Sequence, residues 1–191
     1  MNPGKNIRLF KRDWMEWFSY VHPITPILLW GPVVVYCFLS YPSLVLAVAG
    51  LCVWSLSEYL LHRFIFHFKP RSPFQARVAF LIHGIHHEDP EDARRLLMPP
   101  FAAVVLALIF YGLFTAILGA VLVKPFFAGF LVGYLCYDYT HFAVHFMKPR
   151  WKFLKTLKQN HMLHHFATPG LRYGVSSTLW DYVFRTRPAS K

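Results

Sequence analysis

Histidine is the residue type most able to do chemistry in this chain. There are 11 histidines in 191 residues. All but His22, which precedes Pro23 near the start of the first apolar stretch, fall into four tight groups: His62 and His67; His83, His86 and His87; His141 and His145; His161, His164 and His165. Neutral imidazole is the commonest protein ligand for transition metals. A lone histidine on an apolar face is usually a hydrogen-bonded core residue, but a repeated HxxHH pattern is a ligand pattern. A helix turns about 100° per residue, so His83, His86 and His87 share an arc of about 100°, and His161, His164 and His165 do the same. His141 and His145 lie about 40° apart and aim at one point. His62 and His67 lie about 140° apart on an ideal helix, and converge only if the helix bends or frays, or if they serve different centres.

The adjacent pairs set the number of ions. His86 and His87 point about 100° apart, as do His164 and His165. One small ion cannot easily take both members of such a pair, whereas two ions can take one each. The spacing predicts two metals, with His86/His87 and His164/His165 as the splitting points. It leaves open which five histidines hold which ion.

Apolar stretches must position these groups. Hydrophobic residues make up 55% of the chain and charged residues 15%, against about 25% charged in soluble domains. Stretches at 24–39, 44–61, 100–123 and 126–146 approach the roughly 20 apolar residues that cross a bilayer. Ser40-Tyr41-Pro42-Ser43 separates the first two, and Lys124-Pro125 the last two. The expectation is all-α: an integral membrane four-helix bundle of two helical hairpins in a single domain, 1–191, with a histidine-rich cap. Pro26 and Pro32 mark the first span for a kink. Every Lys and Arg except Lys124 flanks the histidine end, so that end and both termini are expected on the cytosolic side. No early apolar core for a cleavable signal peptide is present, so the first span reads as an uncleaved anchor. Formal net charge is +11, which suits an anionic membrane surface or an acidic protein partner; so apolar a chain is not expected to bind nucleic acid. Cys37, Cys52 and Cys136 sit in apolar runs with no CxxC spacing, and read as packing residues.

The halves repeat at roughly 80 residues. Glu58-Tyr59, His62, His67, Lys69-Pro70-Arg71, His83 and His86-His87 find counterparts in Asp138-Tyr139, His141, His145, Lys148-Pro149-Arg150, His161 and His164-His165. Two related hairpins therefore meet around a shared site. Glu58 and Asp138, acids at the ends of spans, are the candidate catalytic-site partners behind the ligands, since ligating histidines usually donate their second ring N–H to a carboxylate or carbonyl. Asp89 is a weaker candidate. The aromatic tail from Tyr173 to Phe184 reads as a cap over the bundle mouth, with Trp180, Asp181 and Tyr182 as candidates to line or orient the site.

Metal ligands poised above an apolar interior suit oxidation of an acyl chain by O₂. Breaking an unactivated C–H bond needs a redox metal; zinc is redox-inert and can occupy such a site without supporting the reaction.

These residues resemble the fatty acid hydroxylase superfamily, most closely the fatty acid (sphingolipid) 2-hydroxylases. The resemblance is carried by Glu58-Tyr59-Leu60-Leu61-His62-Arg63-Phe64, by His83-Gly84-Ile85-His86-His87 with Pro90, Asp92, Arg95 and Met98-Pro99-Pro100, by Gly133-Tyr134 with Tyr137-Asp138-Tyr139-Thr140-His141 and His145, and by His161-Met162-Leu163-His164-His165 with Gly174-Val175-Ser176-Ser177 and Trp180-Asp181. It implies a membrane-bound monooxygenase that hydroxylates the 2-position of a fatty acyl chain, free or in a ceramide-like lipid. It also implies that the ten clustered histidines hold two metal ions, iron in the active enzyme. Many eukaryotic members carry an N-terminal haem domain that delivers electrons. The residues before the first span leave no room for one, so a separate electron-donor protein is expected. The compartment is then the inner membrane of a bacterium or the endoplasmic reticulum of a eukaryote. A carotenoid ring hydroxylase shares the histidine logic, but the Arg-Leu-Leu-Met-Pro-Pro and Gly-Val-Ser-Ser tracts favour the lipid hydroxylase. A metal transporter would need polar ligands near the bilayer midplane, where these spans are apolar.

Overall fold

The structure is a computed structural model and describes Lys5 and residues 7–188; Lys191, one of the basic residues counted above, lies outside the described residues. The described residues are all-helical, with no strand. A short α1 (Asp13–Phe18) precedes α2 (Thr25–Ser40) and α3 (Leu44–Leu60). The last runs on as a π-helical turn, Leu61–Phe66. Then come α4 (Pro73–Ala79), a second π-helical turn (Phe80–Gly84), α5 (Ile85–Glu88), the long α6 (Pro100–Phe146), α7 (Lys152–Phe166) and α8 (Leu179–Val183).

Among the described residues, two helices are long and apolar enough to cross a membrane, Leu44–Phe66 and Pro100–Phe146, and Thr25–Ser40 is a shorter apolar helix. Their outward side chains stay apolar: Val45 is 80% exposed, Leu44 72% and Ile117 69%. Water does not tolerate a surface of that kind, whereas lipid does. Cys37 is buried, Cys52 and Cys136 are exposed, and all three are free.

The break in α6 falls at Gly119, not at Lys124–Pro125. Gly119 alone in this helix has non-helical dihedrals, φ 77° and ψ 166°, a region open essentially to glycine. Beyond it the chain doubles back, and Phe114 meets Phe126 while Phe110 meets Phe130, both at 4.9 Å between ring centroids. Proline fixes φ near its helical value, so Pro125 removes one backbone donor without reversing the chain. The resulting limbs are 100–118 and 120–146.

Helices α2 and α3 do not form a closely packed pair. Each packs chiefly on α6, whose second limb supplies most of the buried core: Phe126, Phe127, Phe130, Leu131, Tyr134 and Tyr137. Trp30 of α2 and Trp54 of α3 both reach Tyr134, at 6.2 and 5.4 Å between ring centroids. Small residues allow α3 to approach this limb. A Cβ on Gly129 would lie 1.8 Å from the Ala47 carbonyl oxygen, and one on Gly50 1.8 Å from that of Phe126. This is the small-residue seam by which helices pack in lipid, where dispersion replaces the hydrophobic effect.

Gly129→Ala should therefore push two backbones apart and lower stability by about 1–3 kcal/mol, the usual scale of overpacking. Gly112, with open space around its Cβ position, is the control. Thermal unfolding in detergent should show a clear drop in Tm for Gly129→Ala and none for Gly112→Ala. Equal behaviour of the two would contradict the seam.

Candidate metal centre

The ten clustered histidines converge into two groups of five. One holds His62, His67, His83, His87 and His164; the other holds His86, His141, His145, His161 and His165. Within each, one ligand atom per residue lies within 4.8 Å of all the others. The adjacent pairs His86/His87 and His164/His165 do split between groups. The groups are not the two halves of the repeat, however. Each half contributes four histidines to its own group and one to the other, and the exchanged residues, His86 and His164, are counterparts in the repeat. His22 joins neither group; its Nδ1 accepts the Ile24 backbone N–H at 3.2 Å.

Local backbone form explains the convergence that ideal helix geometry did not predict. His62 lies in the first π-helical turn, where the backbone N–H of His67 reaches the His62 carbonyl at 3.2 Å. An i to i+5 hydrogen bond widens the turn and brings the two rings together, Nε2 to Nε2 3.2 Å apart. The second π-helical turn carries His83 and leads directly into α5 with His86 and His87. His141 and His145 end the second limb of α6, and α7 presents the last three.

The donor set fits cations. In the first group Nε2 atoms approach at 3.0–3.2 Å along the series His164, His67, His62, His83, His87. In the second, His161 lies 2.8–3.1 Å from His141, His145 and His165, and His141 lies 3.0 Å from His86. Each neutral Nε2 offers one in-plane lone pair or one proton, never both. Five such atoms can form at most two hydrogen bonds, so two of the four approaches in each group are left without a hydrogen bond of their own. His62 Nδ1–H donates to the Tyr173 carbonyl at 2.6 Å and His164 Nδ1–H to that of Leu171 at 2.7 Å. These bonds leave both Nε2 atoms bare and pointing inward. A metal bonded to nitrogen at roughly 2.0–2.1 Å places neighbouring ligand nitrogens roughly 3 Å apart, close to the spacings present.

The carboxylates stand elsewhere than expected. Glu58 accepts the backbone N–H groups of Val175 and Ser176 at 2.9 and 2.8 Å, and the Ser176 hydroxyl. It pairs neither with a histidine nor with Arg63, which instead donates to the Tyr59 hydroxyl at 3.0 Å. Asp138 has Tyr134 and the backbone of Met98 as its neighbours, and among the described residues its Oδ2 has no hydrogen-bond partner. Asp89 is buried, and its Oδ2 likewise has none. Sequence reasoning missed the carbonyls of Leu171 and Tyr173, because a backbone acceptor has no residue signature. The only visible signal was the small, polar tract Gly174-Val175-Ser176-Ser177 that lets the tail turn in beside them. Asp181, fully buried, fixes that turn by accepting from Tyr173 N at 2.8 Å, Gly174 N at 3.0 Å and Thr186 Oγ1 at 2.8 Å. Trp180 donates to Ser55 at 3.0 Å, while Tyr182 is exposed. On the other side, Arg95 holds the loop after the first HxxHH. It pairs with Glu16 and, at 3.2 Å, with Asp92, and donates to the Ile7 carbonyl at 2.7 Å.

Below the histidines lies a small apolar cavity whose lining includes Trp30, Trp54, Met98, Ala107, Phe130 and Tyr134. Tyr137 stands between, 5.9 Å from Trp54 and 5.7 Å from His141 by ring centroids.

Burial pushes the His67 ring down to about 4 and the His87 ring to about 3, and repulsion from His164 adds to both. The rings are neutral, as metal ligands must be. In the unfolded chain they protonate near 6.5. The unfolded state therefore binds more protons between about pH 6.5 and 4, and the metal-free fold loses stability as pH falls through that window. Thermal unfolding of metal-stripped protein should show Tm falling from pH 6.5 toward 4; a Tm that is constant or rises there would contradict these neutral, buried rings.

Comparisons with known proteins agree with this geometry. Residues 47–186 match the fatty acid hydroxylase family model. A dihydroceramide fatty acyl 2-hydroxylase of Arabidopsis thaliana is 36% identical, over 96% of this chain and 81% of that protein. A fatty acid 2-hydroxylase of Rattus norvegicus is also 36% identical over 96% of this chain, which spans 57% of that relative's length. The solved structure of full-length scs7p, in which the hydroxylase domain is visible, superimposes with a TM-score of 0.84 at 38% identity, over 93% of this chain and 73% of that one. The matched span, residues 47–186, contains all four histidine groups, both π-helical turns and the tail through Asp181: this chain belongs to the fatty acid hydroxylase family.

Proposed function

We propose that this chain is a membrane-bound, O₂-dependent monooxygenase that hydroxylates the 2-position of a fatty acyl chain, free or in a ceramide-like lipid. The observation that carries the reading is the pair of five-histidine groups at one end of an apolar helical scaffold. The similar proteins named as 2-hydroxylases of fatty acids and of dihydroceramide fatty acyl groups supply the regiochemistry and substrate class.

In this reading α2, α3 and the two limbs of α6 are four membrane spans. The histidines form a cap on the cytosolic side, and both termini lie there too. All ten clustered histidines are ligands of two metal ions. Two bound redox metals, iron in the active enzyme, supply the O₂-derived oxidant that an unactivated C–H bond requires. The histidines fix both ions in a largely buried site, with His67, His87, His145 and His165 as its partly exposed edge. The apolar cavity at Trp54 and Tyr134 receives part of the acyl chain, and the head group stays at the cytosolic mouth. Regiochemistry follows from the distance at which the head group is held from the ligand cluster. One oxygen atom enters the C–H bond and the other leaves as water, with two electrons and two protons. The electrons come from a separate carrier protein, and Lys148, Arg150 and Lys152 beside the histidines favour an acidic one, since complementary charge speeds encounter.

Lipids from cells expressing the protein should contain 2-hydroxyacyl species whose new oxygen derives from labelled O₂. The double variant His86→Ala with His164→Ala removes one ligand from each group and should reduce those species to background. An unchanged lipid profile, or product oxygen derived from water, would overturn the reading.

A further inference from the structure

The two histidine groups are related by the repeat, but their surroundings are not. In the group containing His62, two ring N–H groups are fixed by carbonyls from one short segment, those of Tyr173 and Leu171. That segment is held from both sides by buried carboxylates. Glu58 accepts from Val175 and Ser176, and Asp181 from Tyr173 and Gly174. Between the two carbonyls Arg172 takes a positive φ of 63°, with its N–H on the Thr186 carbonyl at 2.9 Å and its guanidinium on Asn160 at 3.0 Å. A non-glycine residue persists in that conformation only where its surroundings over-determine it. In the group containing His161, the Pro90 carbonyl accepts from His145, but His161 Nδ1 and His165 Nδ1 are buried with no hydrogen-bond partner among the described residues. The Nδ1 atoms of those rings have no carbonyl or carboxylate to fix their tautomer as those of His62 and His164 have.

We infer that the two metal sites are unequal, and that Glu58 and Asp181 are positioning residues that make the His62 group the tighter one. This rests on the proposed role of the histidines as ligands. Neither carboxylate touches a ligand. Each acts through the backbone of the 171–176 segment, whose carbonyls orient His62 and His164 and raise the basicity of their Nε2 atoms. Partners of this kind change metal affinity by roughly 10–100-fold, so the tight site should exceed the other by about that factor. The unpartnered His161 and His165 rings make the second site the one that exchanges its ion.

The test is a Co(II) titration of the metal-stripped, full-length chain in detergent, followed by calorimetry and by the ligand-field absorption of each bound ion. The wild type should bind in two steps with dissociation constants separated by roughly 10–100-fold. His164→Ala should abolish the tight step and His86→Ala the weak one. Asp181→Asn and Glu58→Gln should each weaken the tight step by about tenfold or more and leave the weak step unchanged. A general loss of fold would move both steps, so this selectivity identifies positioning. Two steps of equal affinity, or variants that weaken both equally, would overturn the inference while leaving the ligand assignment intact. Failure of the wild type to bind any ion would overturn both.

Discussion

Ten imidazole nitrogens crowded around two points are the constraint on which the rest of this molecule depends. Each has one lone pair or one proton to offer, and the spacings near 3 Å exceed what mutual hydrogen bonding can satisfy. Positive charge among them resolves the conflict. Two centres rather than one follow from the adjacent pairs His86/His87 and His164/His165, whose members turn away from each other and fall into different groups. The exchange of His86 and His164 between halves has a structural consequence. Neither group can be complete unless the two halves dock, so loading the sites and closing the repeat are coupled.

The scaffold can be read as the means of holding that docking in register. The second limb of α6 carries His141 and His145 at its end and packs against both α2 and α3. The Gly50 and Gly129 seam brings α3, and with it His62, close enough to reach His164 of the other half. Gly119 reverses the chain so that this limb returns to the same end as Pro100. The loops after each HxxHH are then tied down by buried charge: Arg95 with Glu16 and Asp92 on one side, Glu58 and Asp181 on the other. The Arg95 ion pairs contribute little net stability, but they and the carboxylate–amide bonds of Glu58 and Asp181 leave little freedom to the backbone beside the histidines.

Side-chain chemistry was legible in the sequence and backbone chemistry was not. The clustering of ten histidines, their split at adjacent pairs and the all-helical scaffold were readable, because histidine type and helical spacing carry that information directly. The convergence of His62 and His67 was not, because a π-helical turn has no sequence mark beyond the i, i+5 spacing it serves. The reversal was placed at Lys124–Pro125, since a charged residue beside proline resembles a loop, whereas a lone glycine at 119 in an apolar run does not. Glu58 stood out as an acid at the end of a span, but its partners are the amides of Val175 and Ser176, over a hundred positions later in the chain. No local pattern predicts such a partner.

Two ions are expected in two groups of five histidines that exchange one member between halves. Anomalous diffraction at the metal absorption edge, from crystals of metal-loaded protein, tests it most directly. Two peaks per chain are expected, one bonded by His62, His67, His83, His87 and His164 and one by His86, His141, His145, His161 and His165. A single peak, or two peaks sharing ligands in any other partition, would contradict the account.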